Sequence, residues 1–158
     1  MFAGAKRAAR RGRFRANQIP SKGRHVMVES AQGSVITKSS RRSVAETVDQ
    51  LKRVIAERGF TLFRVIDHSG TAAGVGVQMP DSKLVMFGNP AKGAAVMLAA
   101  PVAGLDLPLK VLVWEDGNGA VSASYNSPEF MAERLHLEGA QAAPFDAVES
   151  IVEAVLGA

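Results

Sequence analysis

The sequence predicts an α+β domain, with a mixed, partly antiparallel β-sheet of about five strands packed with helices. Short runs of β-branched and aromatic residues alternate with stretches of helical periodicity, which is the first observation behind this prediction. The second is a set of capping residues and prolines that mark helix starts. The third is the turn Asp116-Gly-Asn-Gly119, which joins the last two strands so tightly that they must be antiparallel. The predicted order is β-α-β-(short helix)-β-α-β-β-α-α.

The first three elements are a short strand, a helix and a longer strand. Residues Val35 to Lys38 form the short strand. Ser43 and Glu46 match a capping box, and apolar residues at helical spacing follow it until Gly59. Residues Phe60 to His68 are rich in β-branched and aromatic side chains, with apolar residues on both faces. That pattern predicts a strand in the interior of the sheet.

The middle of the chain predicts a helical turn, a strand and a helix. The glycine-rich stretch Ser69 to Gly76 lacks the spacing of a dinucleotide-binding loop, so it predicts a short, tightly packed helical turn. Residues Lys83 to Phe87 predict a strand. Asn89 then supplies a capping side chain before a first-turn proline, and Pro101 ends the helix that begins there.

The last part of the chain predicts two strands and two helices. Leu109 to Trp114 is mostly apolar, whereas apolar residues alternate with serine and asparagine in Ala120 to Asn126. This alternation predicts that one face of the final strand is wetter than the other. Ser127 precedes a proline and predicts a helix start. Asp146 and Glu149 match a second capping box, ahead of the apolar stripe of the last helix.

The composition is that of a globular protein of a reducing compartment. The chain has 158 residues, of which 47% are hydrophobic and 22% are charged, which suits one domain with a buried core. It contains no cysteine. The most apolar stretch, Ala94 to Leu105, contains Pro101 and Gly104 and falls short of the roughly 20 residues of a membrane span. We therefore expect a cytoplasmic protein that does not contact a membrane.

The basic residues are concentrated near the N-terminus. Residues 1–24 contain 8 of the 19 lysines and arginines and no acid, which leaves 11 basic against 15 acidic residues in the remainder. Residues 1–24 also lack hydrophobic periodicity, so they predict a disordered basic tail before a single domain at residues 25–158. Such a tail can bind nucleic acid weakly and in a salt-dependent way. Met27 is an alternative initiator that would remove the tail.

Six short motifs occur in order along the predicted domain. They are Arg58-Gly-Phe60, Ile66-Asp-His68, Phe87-Gly-Asn-Pro90, Asp106-Leu-Pro-Leu-Lys110, Trp114-Glu-Asp116 and Tyr125-Asn126. Across about residues 35–156, this series resembles the domain of unknown function 302 family of small bacterial and archaeal proteins. The resemblance implies a compact α+β fold and a tendency to form homodimers. It implies no established activity, so the function has to be argued from the residues themselves.

Candidate acid–base residues lie at the ends of two predicted strands. Asp67 and His68 are adjacent and could carry general acid–base chemistry, whereas Glu115 and Asp116 could bind a cation or raise each other's pKa. Neighbouring strand residues point to opposite faces, so these groups are predicted to be scattered over both sides of the sheet. Asp116 is better explained as a cap of the hairpin turn. The three histidines lack ligand spacing, so no metal site is predicted.

Candidate ligand-binding residues surround the start of the third predicted helix. Gly88 permits a close backbone approach, a helix start exposes N–H groups that attract an anion, and Lys92 adds positive charge. The alternative is plain helix capping by Asn89. Tyr125 and Asn126 form a second candidate pair, which either lines a shallow pocket or simply ends a strand.

The favoured hypothesis is a non-catalytic, homodimeric domain that binds a small anionic or polar ligand near Gly88 and Asn89. The other residues proposed around this ligand are Asp67, His68, Lys92, Glu115, Tyr125 and Asn126. One alternative is an enzyme that uses His68, Asp67 or Glu115 for acid–base chemistry. Another is weak nucleic-acid association through the basic tail. Nothing in the sequence specifies a cofactor.

Overall fold

The computed structural model describes residues 33–157, so the predicted basic tail and Met27 lie outside the described residues. The strands are β1 (Val35–Ser40), β2 (Thr61–Asp67), β3 (Ser82–Gly88), β4 (Leu109–Glu115) and β5 (Val121–Asn126). The helices are α1 (Val44–Glu57), α2 (His68–Ala73), α3 (Pro90–Ala99), α4 (Pro128–Arg134) and α5 (Ala147–Leu156). Short 3₁₀ turns occupy Pro101–Leu105, Gly139–Gln141 and Ala143–Asp146. The predicted α+β class and the element order are confirmed.

The five strands form one sheet in the order β1-β5-β4-β3-β2. Each neighbouring pair of described strands is antiparallel, so the sheet is more regular than the mixed arrangement that the sequence allowed. β1 and β2 are the edges, and α1 carries the chain from one edge to the other. β4 is therefore the central strand.

The prediction that residues Phe60 to His68 lie in the interior of the sheet is wrong. β2 pairs with β3 on one side and forms an edge, with a register shift between Leu62 and Arg64. Leu62 and Phe63 are 39% and 50% exposed. Apolar residues on both faces suggested burial, but Phe63 instead borders a cavity at the edge. The irregularity also hinders pairing of this edge with another chain.

The core lies between one face of the sheet and helices α1 and α5, which pack side by side. Val85 of β3 pairs with Val111 of β4, and Val113 points the same way because alternate strand residues share a face. All three are fully buried, as are Ile55 of α1 and Ile151 of α5. The helical spacing of apolar residues in α1 and α5 thus meets the two-residue spacing of the strands in one core.

The opposite face of the sheet, here called the open face, carries half-buried side chains. Leu84 pairs with Leu112 in its centre, next to Trp114. Ser122 and Ser124 continue this face onto β5, and the predicted wetter face of that strand is confirmed. The Trp114 indole Nε1–H donates to the Ser124 hydroxyl over 2.9 Å, which joins β4 to β5 on the open side.

Two of the predicted helix starts behave differently. At α1 the capping box forms: the Glu46 backbone N–H donates to the Ser43 hydroxyl, and the Ser43 N–H donates to the Glu46 carboxylate. The predicted capping box at Asp146 is wrong, because the 3₁₀ turn before α5 already holds Asp146 in a helical conformation and its side chain makes no capping bond. Glu149 instead accepts a hydrogen bond from the Tyr125 hydroxyl.

This difference gives a matched pair of substitutions. Ser43→Ala is expected to lower the free energy of unfolding by roughly 0.5–2 kcal/mol, because it leaves the first turn of α1 without its cap. Asp146→Ala is expected to change it by no more than about 0.5 kcal/mol, since an exposed side chain without a capping bond is removed. Urea unfolding followed by circular dichroism measures both. Equal losses in the two variants would contradict the assignment of the caps.

Candidate functional site

One end of the sheet, where β3 ends and β4 begins, borders a cavity of about 280 Å³, here called the Gly88 cavity. The predicted residues Gly88, Asn89 and Lys92 all line it. Most of its remaining walls are apolar, and they include Phe60, Phe63, Pro90, Met97, Leu107 and Pro108. The chain thus brings the edge strand β2, the start of α3 and the segment before β4 around one space.

The start of α3 is largely satisfied by its own residues. The Lys92 backbone N–H donates to the Asn89 side chain over 3.1 Å, and the Gly93 N–H donates to the Asn89 carbonyl over 2.9 Å. Pro90 has no N–H to offer. Asn89 therefore caps the helix, as the plainer alternative held. The charged side chain in the lining of this cavity is that of Lys92, which is exposed.

Two glycines, Gly88 and Gly93, line the Gly88 cavity. A Cβ atom at Gly88 would lie 3.5 Å from the Phe63 ring, and a Cβ atom at Gly93 would lie 3.8 Å from Leu107. Both distances are ordinary van der Waals contacts, so a methyl group fits at either position. Because Gly93 lies on the cavity side of α3, a larger side chain there would fill the space between α3 and Leu107.

Tyr125 and Asn126 lie at the same end of the sheet but line a second cavity of about 250 Å³, here called the Lys110 cavity. Burial raises the pKa of the Tyr125 phenol, and its hydroxyl points toward α5, where it donates to Glu149 over 3.3 Å. Asn126 is exposed at the end of β5. The alternative in which this pair lines a pocket is therefore the better description, with the Tyr125 hydroxyl turned away to α5.

Asp67 belongs to an ionic cluster at the opposite end of the sheet. Its carboxylate accepts the Gly70 backbone N–H over 2.7 Å, which caps α2. The Lys83 ammonium lies 3.3 Å from Asp67 and 2.6 Å from Asp81. The Ser69 hydroxyl lies 2.8 Å from both carboxylates.

These contacts move the pKa values of the cluster away from neutrality. The Gly70 N–H, then Ser69 and Lys83, lower the pKa of Asp67, and the bond to Lys83 lowers that of Asp81. The bond to Asp81 raises the pKa of Lys83. Asp67 and Asp81 stabilise the folded state fully when the pH is above the ordinary pKa of an aspartate. This stabilisation is lost as the pH falls through their lowered pKa values in the folded protein. Lys83 stabilises the folded state fully below the ordinary pKa of a lysine, and this stabilisation is lost as the pH rises through its raised pKa in the folded protein. The cluster stays ionised in between, which does not suit proton transfer at neutral pH.

The other acid–base candidates do not complete a reactive centre. His68 is the exposed first residue of α2, and both Asp67 oxygens are bonded elsewhere. The prediction that the acidic groups lie on opposite faces of the sheet is wrong for Asp67 and Glu115. The strand pairing and the alternation of side chains along each strand place both residues on the same face, at the same end of the sheet. Glu115 nevertheless lines a different cavity, together with Arg41 and Arg42. The two arginines make this cavity an unfavourable place for a cation.

Asp116 caps the hairpin turn, as predicted. One of its carboxylate oxygens accepts the backbone N–H groups of Asn118 and Ala120 over 2.8 and 2.9 Å. This arrangement satisfies the turn between β4 and β5. Asp116 is therefore explained by its structural contacts.

The candidate residues thus divide between the two ends of the sheet. Gly88, Asn89, Lys92, Tyr125 and Asn126 lie at the end where β4 begins, whereas Asp67, His68 and Glu115 lie at the end where β4 finishes. β4 has seven residues, so roughly 20 Å separates the two groups. The hypothesis that grouped all of these residues around one ligand needs this correction.

Sequence reasoning missed the residues that shape both cavities. Phe63 appeared only as a strand residue, and Phe60 only as a strand residue and in the motif Arg58-Gly-Phe60, although both form an apolar wall of the Gly88 cavity. Lys110 appeared only within the motif Asp106-Leu-Pro-Leu-Lys110, which forms the partition between the two cavities: Leu107 and Pro108 line one, Asp106 and Lys110 line the other, and Leu109 lines both. This motif, which mixes polar and apolar residues just before a predicted strand, was the sequence signal that could have pointed to the cavities.

Within residues 33–157, no group of three or more histidine or carboxylate side chains is arranged to hold a metal ion. No helix of this same part of the chain is long and apolar enough to cross a membrane.

Curated relatives of the chain come from Brucella. It is 36% identical over 111 residues to the protein named Fluoride-specific ion channel FluC 1 of Brucella suis biovar 1, which covers 70% of this chain and 44% of that protein. Fluoride-specific ion channel FluC 2 of Brucella melitensis biotype 1 is similar, also at 36% identity, with 41% of its length covered. The chain thus spans less than half of the length of these relatives.

Two further comparisons concern the fold and the family. The fold is similar to the crystal structure of an uncharacterized conserved protein DUF302 from Bacillus stearothermophilus, with a TM-score of 0.65 at 18% identity, over 78% of this chain and 95% of that one. The model of the family described as domain of unknown function DUF302 matches residues 36–156. The match spans all of the sheet except its first residue and both helices of the core, so the chain belongs to the DUF302 family.

Proposed function

We propose that this domain is a non-catalytic module that binds a small, largely apolar molecule with an anionic or polar end in the Gly88 cavity. The observation that carries the proposal is the cavity, in which three residues singled out from the sequence meet a wall of aromatic and aliphatic side chains. Ligand sites are commonly concave, mainly apolar and equipped with a few polar groups. Lys92 at the edge of the cavity supplies the charge that suits an anionic end.

The cavity volume limits the size of the ligand. Ligand pockets commonly enclose about 300–1,000 Å³, and this cavity, at about 280 Å³, falls just below that range. One water occupies about 30 Å³ in the liquid, so the space suits a ligand of roughly ten non-hydrogen atoms or fewer. A short acyl chain or a small ring with one polar group has this size.

The distribution of ionisable groups supports binding without catalysis. The acid–base candidates Asp67, His68 and Glu115 lie at the other end of the sheet from the Gly88 cavity. Asp67 is held ionised by its contacts with Gly70 and Lys83. General acid–base catalysis needs a group within hydrogen-bond reach of the substrate and with a pKa near the working pH. The residues around Gly88 supply apolar contacts and one lysine instead.

Hexanoate is a suitable probe, and Met97 is a suitable reporter because it lines the Gly88 cavity. In full-length protein carrying ¹³C at its methionine methyl groups, titration with hexanoate is expected to shift the Met97 resonance in a saturable way. Gly93→Leu is expected to abolish this shift by filling the cavity, whereas Gly93→Ala preserves it because a methyl group fits there. Lys92→Met is expected to weaken hexanoate binding several-fold and to leave hexanol unaffected. An unchanged Met97 resonance in the wild-type protein contradicts the proposal.

We further infer that the domain forms a homodimer through its open face. The centre of this face carries large half-buried apolar side chains, among them Leu84, Met86, Leu112 and Trp114. A two-fold axis that runs parallel to the central strand β4, midway between the two open faces, would place β2 of one copy over β1 of the other. Arg64 would then face the hydroxyl-bearing side of β1, which holds Thr37.

Met86→Glu is expected to convert the dimer into a monomer, because it places a charge among the apolar side chains of the contact. The variant should still fold, since Met86 pairs with Arg64 on one side and Lys110 on the other, two cations that accommodate a carboxylate in the monomer. Light scattering after size-exclusion chromatography reports the mass. Leu98→Glu is the control, because Leu98 lies on α3 and is 86% exposed. A monomeric wild-type protein, or equal effects of the two variants, would contradict the dimer on this face.

A second candidate function follows from the Brucella relatives. Their names denote fluoride-specific channels, and the similarity to this chain occupies less than half of each relative. The described residues of this chain contain no helix that could span a membrane. These two observations support an accessory role beside a membrane channel, in which the domain binds or adjusts the channel without forming its pore.

The accessory role predicts a measurable change in fluoride transport. Removing the matched segment from the Brucella suis relative is expected to alter fluoride efflux from proteoliposomes at least twofold, and adding this purified chain is expected to reverse part of that change. The Gly93→Leu variant serves as the added protein in a parallel assay, which tells whether the Gly88 cavity is involved. Efflux that is identical with and without the segment would contradict this role.

A further inference from the structure

The Lys110 cavity lies on the far side of the Asp106–Lys110 segment from the Gly88 cavity. Its volume is about 250 Å³, and it sits where β4 begins and β5 ends. Leu84, Leu112 and Met131 form part of its apolar lining, and Asn126 and Lys110 bring polar groups to it. Leu109 is the one residue lining both cavities, so the two spaces are separate binding environments.

Lys110 is held in a defined position at this cavity. Its ammonium group donates to the Asp106 carbonyl over 2.6 Å and to the Pro108 carbonyl over 2.9 Å. An ammonium group has three N–H donors, so two of them are directed at the backbone and a third is left for another acceptor. The two backbone bonds fix the position of the nitrogen before any ligand arrives, which lowers the entropy lost on binding.

The charge balance around Lys110 favours an anion. Asp106 also lines the cavity, but its carboxylate is 90% buried and is bonded to the Arg134 guanidinium group, which compensates its charge. The three groups together carry one net positive charge. Burial lowers the pKa of Lys110, with an opposing contribution from Asp106, because the ammonium group has lost part of its hydration. A bound carboxylate would replace that hydration.

We propose that the Lys110 cavity is a second ligand site, which takes a small carboxylate with a short branched or cyclic apolar body. The carboxylate accepts the remaining N–H of Lys110, and the Asn126 amide donates to its second oxygen. The apolar body lies against Leu84, Leu112 and Met131. This site is independent of the ligand proposed for the Gly88 cavity.

The Lys110 cavity and the proposed dimer contact share residues, because Leu84 and Leu112 line the cavity and also form the centre of the open face. Lys110 is the second residue of β4 and Asn126 is the last residue of β5, so the polar end of the cavity falls at the periphery of the open face. Val35, the first residue of β1, borders it as well. A contact centred on the middle of the sheet would cover Leu84 and Leu112, so a ligand in this cavity is expected to compete with dimer formation.

The test uses 3-methylbutanoate as the probe and the Met131 methyl group as the reporter. Met131 lines the Lys110 cavity and Met97 lines the Gly88 cavity, so one ¹³C-methyl spectrum of the full-length protein distinguishes the two sites. Titration is expected to shift the Met131 resonance in a saturable way. Lys110→Met, which keeps the length of the side chain, is expected to weaken binding about tenfold or more, because it removes a charge-assisted hydrogen bond.

Three controls define the outcomes. The alcohol 3-methylbutan-1-ol, which lacks the charge, is expected to bind at least tenfold more weakly than the acid to wild-type protein, a comparison that needs no variant to fold. Asn126→Ala is expected to weaken the acid several-fold, and Lys92→Met is expected to leave the Met131 titration unchanged. A silent Met131 resonance overturns the proposal, and so does equal affinity for acid and alcohol. A response of Met97 alone overturns the second site while supporting the Gly88 cavity.

Discussion

One-sided burial of the sheet determines the rest of this structure. Helices α1 and α5 cover one face, and alternate residues of β3, β4 and β5 bury their side chains against them. The remaining residues of the same strands point to the open face, where they are only half-buried. At the end of the sheet where β4 begins, the segments that leave the strands and the helices next to them enclose two small cavities.

Local patterns predicted this core well because they report burial directly. The capping box at Ser43 and the apolar stripe of α1 defined a helix, and the alternation in β5 identified its wetter face. Neighbours in space were harder to predict. Apolar residues on both sides of β2 suggested an interior strand, yet the sheet order makes it an edge. At Asp146 the sequence matched a cap, but a preceding 3₁₀ turn had already set the backbone angles.

The same limit applies to the candidate site. Gly88, Asn89 and Lys92 are close in sequence, so the sequence could suggest them together, and the cavity they line was found there. Phe60 and Leu107 reach that cavity from distant parts of the chain, and no periodicity in the sequence links them. The apparent acid–base pair Asp67 and His68 shows the opposite error. An aspartate next to a histidine suggested acid–base catalysis, whereas the Asp67 carboxylate caps α2 and pairs with Lys83.

The two ends of the sheet differ in how their charges are balanced. At the Asp67 end, Lys83 lies between two carboxylates, and the contacts move the pKa values of all three groups further from neutrality. At the Lys110 end, burial moves the lysine pKa toward neutrality, and backbone carbonyls replace only part of the lost hydration. The charge of Lys83 is therefore compensated more completely by its neighbours than the charge of Lys110. A small anion gains most where a positioned cation is incompletely compensated, which is beside Lys110.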